Sequence, residues 1–560
     1  MDSLGNIEDI TKRESYVFGS FARHENKFSC GLAAKYKCME ILIKNGVVFD
    51  GSGKKGEKTD VLIKGGVIVS IGNFKDKKAE IVIDASDSYI TPGFIDINSD
   101  SDHYLTIFTE PTQISLLKQG ITTILGGNCG SSLAPLIKGD LVSIRKWANP
   151  NQINVDWTSF GEFLENLSRF KLGVNFGSLV GHSTVRRGLI GEEFRDLTEE
   201  ELQQMKHLME KSLEEGAFGI STGLSYSHSR ITPPYEIEEL LKILGKYDAL
   251  YATHLRSEEE GLVASIAEID DIVSELKIKG RPKIEISHFK AYEGLLDDLN
   301  LGLKIINSLK EKGADINFDV YPYETIAGPL YLYLPSWAIY GGFELMVKNI
   351  TDKMVRPRII KDLKEKKYQY NRIIVAEMSG TPSFIGKNIQ ELAKTRGISP
   401  EEMLLETLKI GGGRVIVFEN KLSSEETIAL LKHPLSIIAT NGPGRNYARV
   451  PEVLPHPRSF GAFPKFLSLA RDKKIMDWPE AIKKITYLAA QKIGLKKRGL
   501  IKKGYFADIV VFNPKQINSM ADCRNPYLEP EGIEFVIVNG ELAVDHSRFT
   551  GVLAGQIFKR

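Results

Sequence analysis

The chain has 560 residues, 42% hydrophobic and 26% charged, the composition of a globular protein long enough for two domains or for one large domain with an appendage. Its 73 basic residues offset 72 acidic ones, so the net charge is +1, and the balance calls for neither nucleic acid nor an anionic membrane as partner. Four cysteines (Cys30, Cys38, Cys129, Cys523) make no disulfide framework and no run reaches the roughly 20 apolar residues of a membrane span, so a reducing, cytoplasmic setting is expected.

Residues 1–38 lack the compact apolar segment of a signal peptide, because Arg23, Glu25 and Lys27 interrupt the apolar stretches. They read as a disordered or weakly helical extension, or as sequence ahead of a true start at Met39. From there to residue 92, short β-branched runs alternate with turns: Ile41-Leu42-Ile43, Val47-Val48-Phe49, Val61-Leu62-Ile63, Val67-Ile68-Val69 and Ile81-Val82-Ile83. Residues 495–560 repeat the pattern in Ile509-Val510-Val511-Phe512 and Phe535-Val536-Ile537-Val538. Two β-rich flanks predict one small β-sandwich built from both ends of the chain.

Residues 93–494 alternate strand and helix. Candidate strands are 93–97, 122–128, 174–182, 217–222, 249–255, 283–289, 315–323 and 436–442. Between them, 197–215 reads as an amphipathic helix with Leu197, Leu202, Met205, Leu208, Met209 and Leu213 on one face. Eight strands with helical crossovers predict a parallel (β/α)8 TIM barrel, an α/β fold. The gap from about 330 to 430 is too long for one connection. It reads as an insertion of helices and loops between strands seven and eight, helical over 389–408, placed to wall or cover the site.

Barrels of this kind carry their chemistry at the C-terminal strand ends. In order these ends supply Asn98 with Asp100, Cys129, His182, Thr222, His254, His288, Asp319 with Tyr321 and Tyr323, and Asn441. A single histidine at a strand end is more often a hydrogen-bonded polar residue than a ligand, and a lone cysteine is more often a small hydrophobe. One thiolate and two imidazoles from three strand ends are together the donor set of a catalytic zinc with an open fourth position. His182 reads either as a donor to substrate or as a packing residue.

Several motifs carry a resemblance: Thr91-Pro92-Gly93-Phe94-Ile95-Asp96, Gly127-Asn128-Cys129-Gly130, Val180-Gly181-His182 with Arg186, Ser221-Thr222-Gly223-Leu224-Ser225-Tyr226, Thr253-His254-Leu255-Arg256-Ser257-Glu258, Ser287-His288-Phe289-Lys290, Tyr321-Pro322-Tyr323 and Pro457-Arg458-Ser459-Phe460-Gly461. In this order they resemble the amidohydrolase superfamily, and within it the N-acyl-D-amino-acid deacylases, over about residues 39–560. The resemblance implies that Cys129, His254 and His288 hold a single Zn2+. It implies that His182, Tyr226, Arg256, Lys290 and Tyr323 line the pocket of a small-molecule amide substrate, with Arg256 pairing to a substrate carboxylate. It also exposes departures. The family's His-x-His, which serves a second, weaker metal position, is Asn98-Ser99-Asp100 here, and the family's catalytic Asp is Asn441. A carboxamide cannot accept a proton near neutral pH.

Two readings follow. In the first, the protein is a zinc-dependent amidohydrolase in which Asp100, Asp102, Asp319 or the substrate's own carboxylate replaces the base. In the second, it is a catalytically impaired relative acting as a ligand-binding or scaffold protein.

Overall fold

A computed structural model describes residues 39–139, 141–276 and 282–560. The extension 1–38, with Cys30 and Cys38, lies outside the described residues. Cys129 and Cys523 are free thiols, and among the described residues no helix is long and apolar enough to cross a membrane.

The centre is a closed parallel barrel. Its strands are Phe94–Asp96, Ile121–Gly126, Asn175–Ser178 running on into Val180–Gly181, Gly219–Gly223, Leu250–His254, Lys283–Ile286, Asp315–Val320 and Ser436–Ile438. Every neighbouring pair from the first strand to the eighth is parallel. The ring closes just past the strand ends, where Asn441 N–H donates to the Asn98 carbonyl (2.8 Å) and Asp100 N–H to the Gly442 carbonyl (3.2 Å). The strands are almost wholly buried, as expected when helices cover the outer face and side chains fill the inside. The helix predicted over 197–215 forms over Glu199–Glu214. Thr198 and Glu201 make a capping box, and Leu202, Met205, Met209 and Leu213 are buried. Each such side chain contributes about 1.5–3 kcal/mol by leaving water, and loss of the Thr198 cap costs about 1 kcal/mol.

A four-stranded sheet from residues 41–84 faces a seven-stranded sheet in which Tyr89–Pro92 pairs antiparallel with Ile509–Phe512. Ile43, Ile63, Ile83, Ile509, Val511 and Ile537 fill the space between them. Gly93 joins this sandwich to the first barrel strand, and a Cβ there would stand 2.2 Å from Thr122 Oγ1.

The insertion between strands seven and eight differs from the expectation of helices and loops alone. It contains an antiparallel sheet, Thr325–Pro329, Val415–Asn420 and Ile373–Met378, with Val415–Asn420 central. The runs Ile373-Ile374-Val375 and Val415-Ile416-Val417 carry the β-branched signal for it. The single helix expected over 389–408 is two, Ile389–Arg396 and Pro400–Ile410. Gly397 ends the first in the left-handed region, and Ser399 caps the second with Pro400 at its first position. The insertion has its own apolar core, including Ile350, Leu363, Leu404 and Leu408. It is tied to the loops after strands five, six and eight: Lys421 Nζ to Glu259 (2.8 Å), Ser423 N–H to the Ala291 carbonyl (2.8 Å) and Leu454 N–H to the Ala376 carbonyl (2.7 Å). That places it over the end of the barrel where the strands finish.

Candidate metal centre

Cys129 projects from a tight turn after strand two. Gly127, Cys129 and Gly130 all have positive φ (73°, 50° and 74°). A Cβ on Gly127 would lie 2.1 Å from the Leu179 carbonyl oxygen, and one on Gly130 2.6 Å from the Gly223 nitrogen, so only glycine fits either place. The turn is pinned by Gly127 N–H donating to Asp102 Oδ2 (2.6 Å) and by Gly130 N–H donating to Ser221 Oγ (3.0 Å).

His254 ends strand five, and His288 follows strand six at φ 40°. One donor atom from each of Cys129, His254 and His288 lies within 4.8 Å of the others, all three residues buried. Cys129 Sγ is 3.3 Å from His288 Nε2. The other side of each ring is held. His288 Nδ1 is 2.8 Å from Glu258 Oε1, and His254 Nε2 is 2.8 Å from Ser225 Oγ. Lys290 Nζ donates to both Glu258 oxygens (2.8 and 2.6 Å).

The electrostatics suit a cation. Burial by itself would raise Glu258, but Lys290, His254 and His288 hold it well below the carboxylate range, so it stays ionised. Burial keeps His254 neutral, its pKa well below that of an ordinary imidazole. Burial also pushes the Cys129 thiol well up, while Lys290 and Lys146 pull it the other way. A thiolate there calls for a cation at bonding distance. One sulfur and two imidazoles, one ring oriented by a carboxylate and the other leaving a buried Nδ1 with no partner, fit zinc.

The other expected site residues divide. Tyr226 stands beside the trio, its ring 5.0 Å from that of His254, and Lys290 Nζ is 3.1 Å from His288 Nδ1. Arg256 is a correction. Its guanidinium is bidentate to Glu268 (3.0 and 2.7 Å) and donates to the carbonyls of Arg230 (2.6 Å) and Thr232 (2.9 Å), so four of its five N–H donors are occupied and it has no fork to offer a substrate. His182 is likewise withdrawn from substrate: it is fully buried with Nε2 2.6 Å from Glu236, which also accepts from Arg186. Tyr323 packs on the Arg458–Asp472 helix side, its hydroxyl 3.3 Å from the Pro457 carbonyl and from Ser519.

At the His-x-His positions, Asn98 Nδ2 donates to Asp319 Oδ2 (3.0 Å) and Asp100 Oδ1 is 3.1 Å from His103 Nδ1. Burial alone would raise Asp100, but His103 and Arg458 hold it below its ordinary range. Asn441, at φ 47°, closes the barrel with its backbone and presents a carboxamide where a carboxylate would stand. Asp319 and Asp102 each keep one buried oxygen, Oδ1, without a partner. Glu285, whose Oε1 accepts from Asp319 N–H, is driven well above the carboxylate range by burial and by Asp319.

Three residues escaped the sequence reading as site groups. Glu258 stands four residues after His254, a helix-like spacing with no motif role of its own. Lys146, in no motif at all, is buried between the rings of Trp147 (3.8 Å) and Tyr226 (4.2 Å). Arg458 is 5% exposed, with Nε and Nη1 buried and unpartnered, its Cζ 4.8 Å from the Tyr321 ring and Nη2 4.0 Å from Asp100. The Pro457-Arg458 motif flagged that position but not its role.

Residues 343–544 match the amidohydrolase family. The D-aminoacylase of Alcaligenes xylosoxydans xylosoxydans is 30% identical over 527 residues, spanning 93% of this chain and 98% of the relative. The N-acyl-D-aspartate deacylase of the same organism is 28% identical, over 92% and 94%. The crystal structure of a D-aminoacylase superposes with a TM-score of 0.77 at 27% identity, covering 93% of this chain and all of that one. N-acyl-D-glutamate deacylase from Bordetella bronchiseptica, solved with zinc and a phosphonate mimic of the tetrahedral intermediate, shares the fold at a TM-score of 0.78 and 24% identity, over 94% and 100%. The chain belongs to the D-aminoacylase family of amidohydrolases.

Proposed function

We propose that the protein is a zinc-dependent deacylase that cleaves the C–N amide bond of an N-acyl-D-amino acid. The convergence of Cys129, His254 and His288 on one buried point carries this reading; the named relatives supply the substrate class. A zinc ion held there would polarise the acyl carbonyl and acidify a water molecule.

The chain's own residues do the rest. Glu258 fixes the ring of His288 and the ammonium of Lys290 together, so that metal donor and pocket wall move as one unit. Arg458, not Arg256, receives the substrate carboxylate: its Nη1 has no partner and its Nη2 has only Asp100, 4.0 Å away, so the Nη1–Nη2 end of the guanidinium is a fork for it. Tyr226 and Lys290 line the acyl side. Asn441 orients by hydrogen bonding and takes no proton. Asp100, tied to His103 and near Arg458, is a weak base, and Asp319, bonded to Asn98 and set against the Glu285 carboxyl, is the other carboxylate within the rim. General-base catalysis is worth about 10²–10⁴-fold, so its weakening slows the reaction without abolishing it.

The test is elemental analysis on protein purified without chelators, beside a panel of N-acyl-D- and N-acyl-L-amino acids and the Asn441→Asp variant. One zinc per chain, D-selective turnover and a rate gain of at least tenfold on restoring the carboxylate are expected. Stoichiometric zinc with no turnover in either form would leave the ligand-binding or scaffold reading in its place.

A further inference from the structure

We infer that His103 is a built-in cation that takes the place of a second metal ion, so that the protein is confined to one metal per chain. The inference rests on the one-metal reading above and explains what has become of the second position. One D-aminoacylase structure is described as having a binuclear centre, with one-metal activation and second-metal attenuation. Here the residues do not fit such a centre.

The geometry of His103 fixes its charge. Nδ1 is 3.1 Å from Asp100 Oδ1 and Nε2 is 3.0 Å from the Ser131 carbonyl oxygen. Both ring nitrogens face acceptors. A neutral imidazole has one N–H and one lone pair, so one of these contacts would set a lone pair against an oxygen. Two N–H groups satisfy both. The ring is fully buried and lies flat on Trp147, with centroids 4.2 Å apart and planes 3° apart, a surface that favours a cation. Asp102 and Asp100 supply the counter-charge: burial alone would lower His103, yet these two carboxylates hold its pKa above the ordinary value. The Lys146 amino group, 3.8 Å from the Trp147 ring, donates to Ser131 Oγ and to the Ser143 carbonyl (both 3.0 Å).

Both side chains at the His-x-His positions are therefore committed. Asp100 is an ion-pair partner with Arg458 on its other oxygen. Asn98 gives its amide to Asp319 and retains only Oδ1, a poor single ligand. A second divalent ion beside Asp100 would have to displace the imidazolium from its carboxylate and sit close to the Arg458 guanidinium, 4.0 Å from the other oxygen.

The test is equilibrium titration of the full-length, metal-free protein with Zn2+, and of the protein already holding one Zn2+ with Mn2+, read by elemental analysis after dialysis and by Mn2+ electron paramagnetic resonance. The wild type should saturate at one Zn2+ and, once it holds that ion, bind no Mn2+ at millimolar concentration. His103→Asn, which frees Asp100 and Asp102, should keep the first Zn2+ and gain a second, weaker equivalent. Retention of the first equivalent shows that the variant is folded; a second, Asn98→His with Asp100→His, should reach two by restoring nitrogen donors. Two equivalents in the wild type, or one in all three proteins, would overturn the inference and leave the one-metal reading standing. No zinc in the wild type would remove that reading and this inference with it.

Discussion

Arg458 and Arg256 give opposite predictions for the same chemical change. In Arg458→Met a buried guanidinium with two unpartnered nitrogens is lost. Each charge-assisted hydrogen bond is worth about 1.5–3 kcal/mol. A bidentate pair at the lower end gives about 3 kcal/mol, or about 10²-fold in kcat/KM at 1.4 kcal/mol per decade. The assay compares an N-acyl-D-amino acid with the N-acyl amine that lacks its carboxylate. Arg458→Met should lose about 10²-fold on the first and little on the second, and Arg458→Lys should recover only part, since an ammonium has no fork. Arg256→Met should leave the ratio between the substrates unchanged. It should instead cost about 2 kcal/mol of stability, below the 3–5 kcal/mol of a broken fully buried pair, because Arg256 and Glu268 are 24% and 17% exposed. Equal losses on both substrates in Arg458→Met, or a lost carboxylate preference in Arg256→Met, would refute the assignment.

Two further outcomes are expected. Glu258→Gln removes the charge that orients His288 and neutralises Lys290; zinc affinity should fall about 10–100-fold in competition with a chromophoric chelator, and an unchanged affinity would detach Glu258 from the metal. Lys484 is fully buried, donating to the carbonyls of His433 and Ser436 and to Ser436 Oγ, and burial pulls its ammonium down to about 8, with Glu480 opposing. Between about pH 8 and the unfolded value near 10.4, the unfolded chain holds a proton that the native chain has released. In that window the group makes stability rise with pH, by up to about 1.4 kcal/mol per unit, and below pH 8 its contribution is flat. The difference in denaturation midpoint between wild type and Lys484→Met should therefore vary from pH 8 to 10 and hold constant from 6 to 8; the reverse pattern would show that the lysine is not depressed.

What was legible in the sequence was whatever depends on strand position. The alternation of short strand-like runs with helical segments located the ends of strands two, five and six, and with them Cys129, His254 and His288, although Thr122, Thr123, Lys283 and Glu285 interrupt the apolar pattern. What was not legible is side-chain partnership across elements. Arg256 and Arg458 are both basic residues in the motifs that carry the resemblance, and nothing local separates them. Arg256 is captured because the helix Leu262–Glu275 brings Glu268 to it, twelve residues on. Arg458 stays open because it sits at the start of Arg458–Asp472, where Asp100 comes no closer than 4.0 Å. The insertion's sheet was missed for a related reason: its strands pair across gaps of 37 residues or more, and only the packed core shows which runs meet.

The departures at positions 98, 100 and 441 look like losses when read one at a time. In the fold they fall into a consistent set. Asn98 is bonded to Asp319, Asp100 to His103, and Asn441 N–H to the carbonyl of Asn98, so the three altered positions share one hydrogen-bonded rim where the barrel closes. Decay of an unused site would leave buried carboxylates without partners, each costing several kcal/mol. Here Asp100 is paired with His103, three residues along the chain, while the trio, Glu258 and Lys290 are assembled beside it. A scaffold with no use for a metal would have little physical reason to keep a charged Glu258 and Lys290 buried against two imidazoles, since an ion pair removed from water is at best near neutral for stability. The arrangement is the one that the proposed single-ion centre requires.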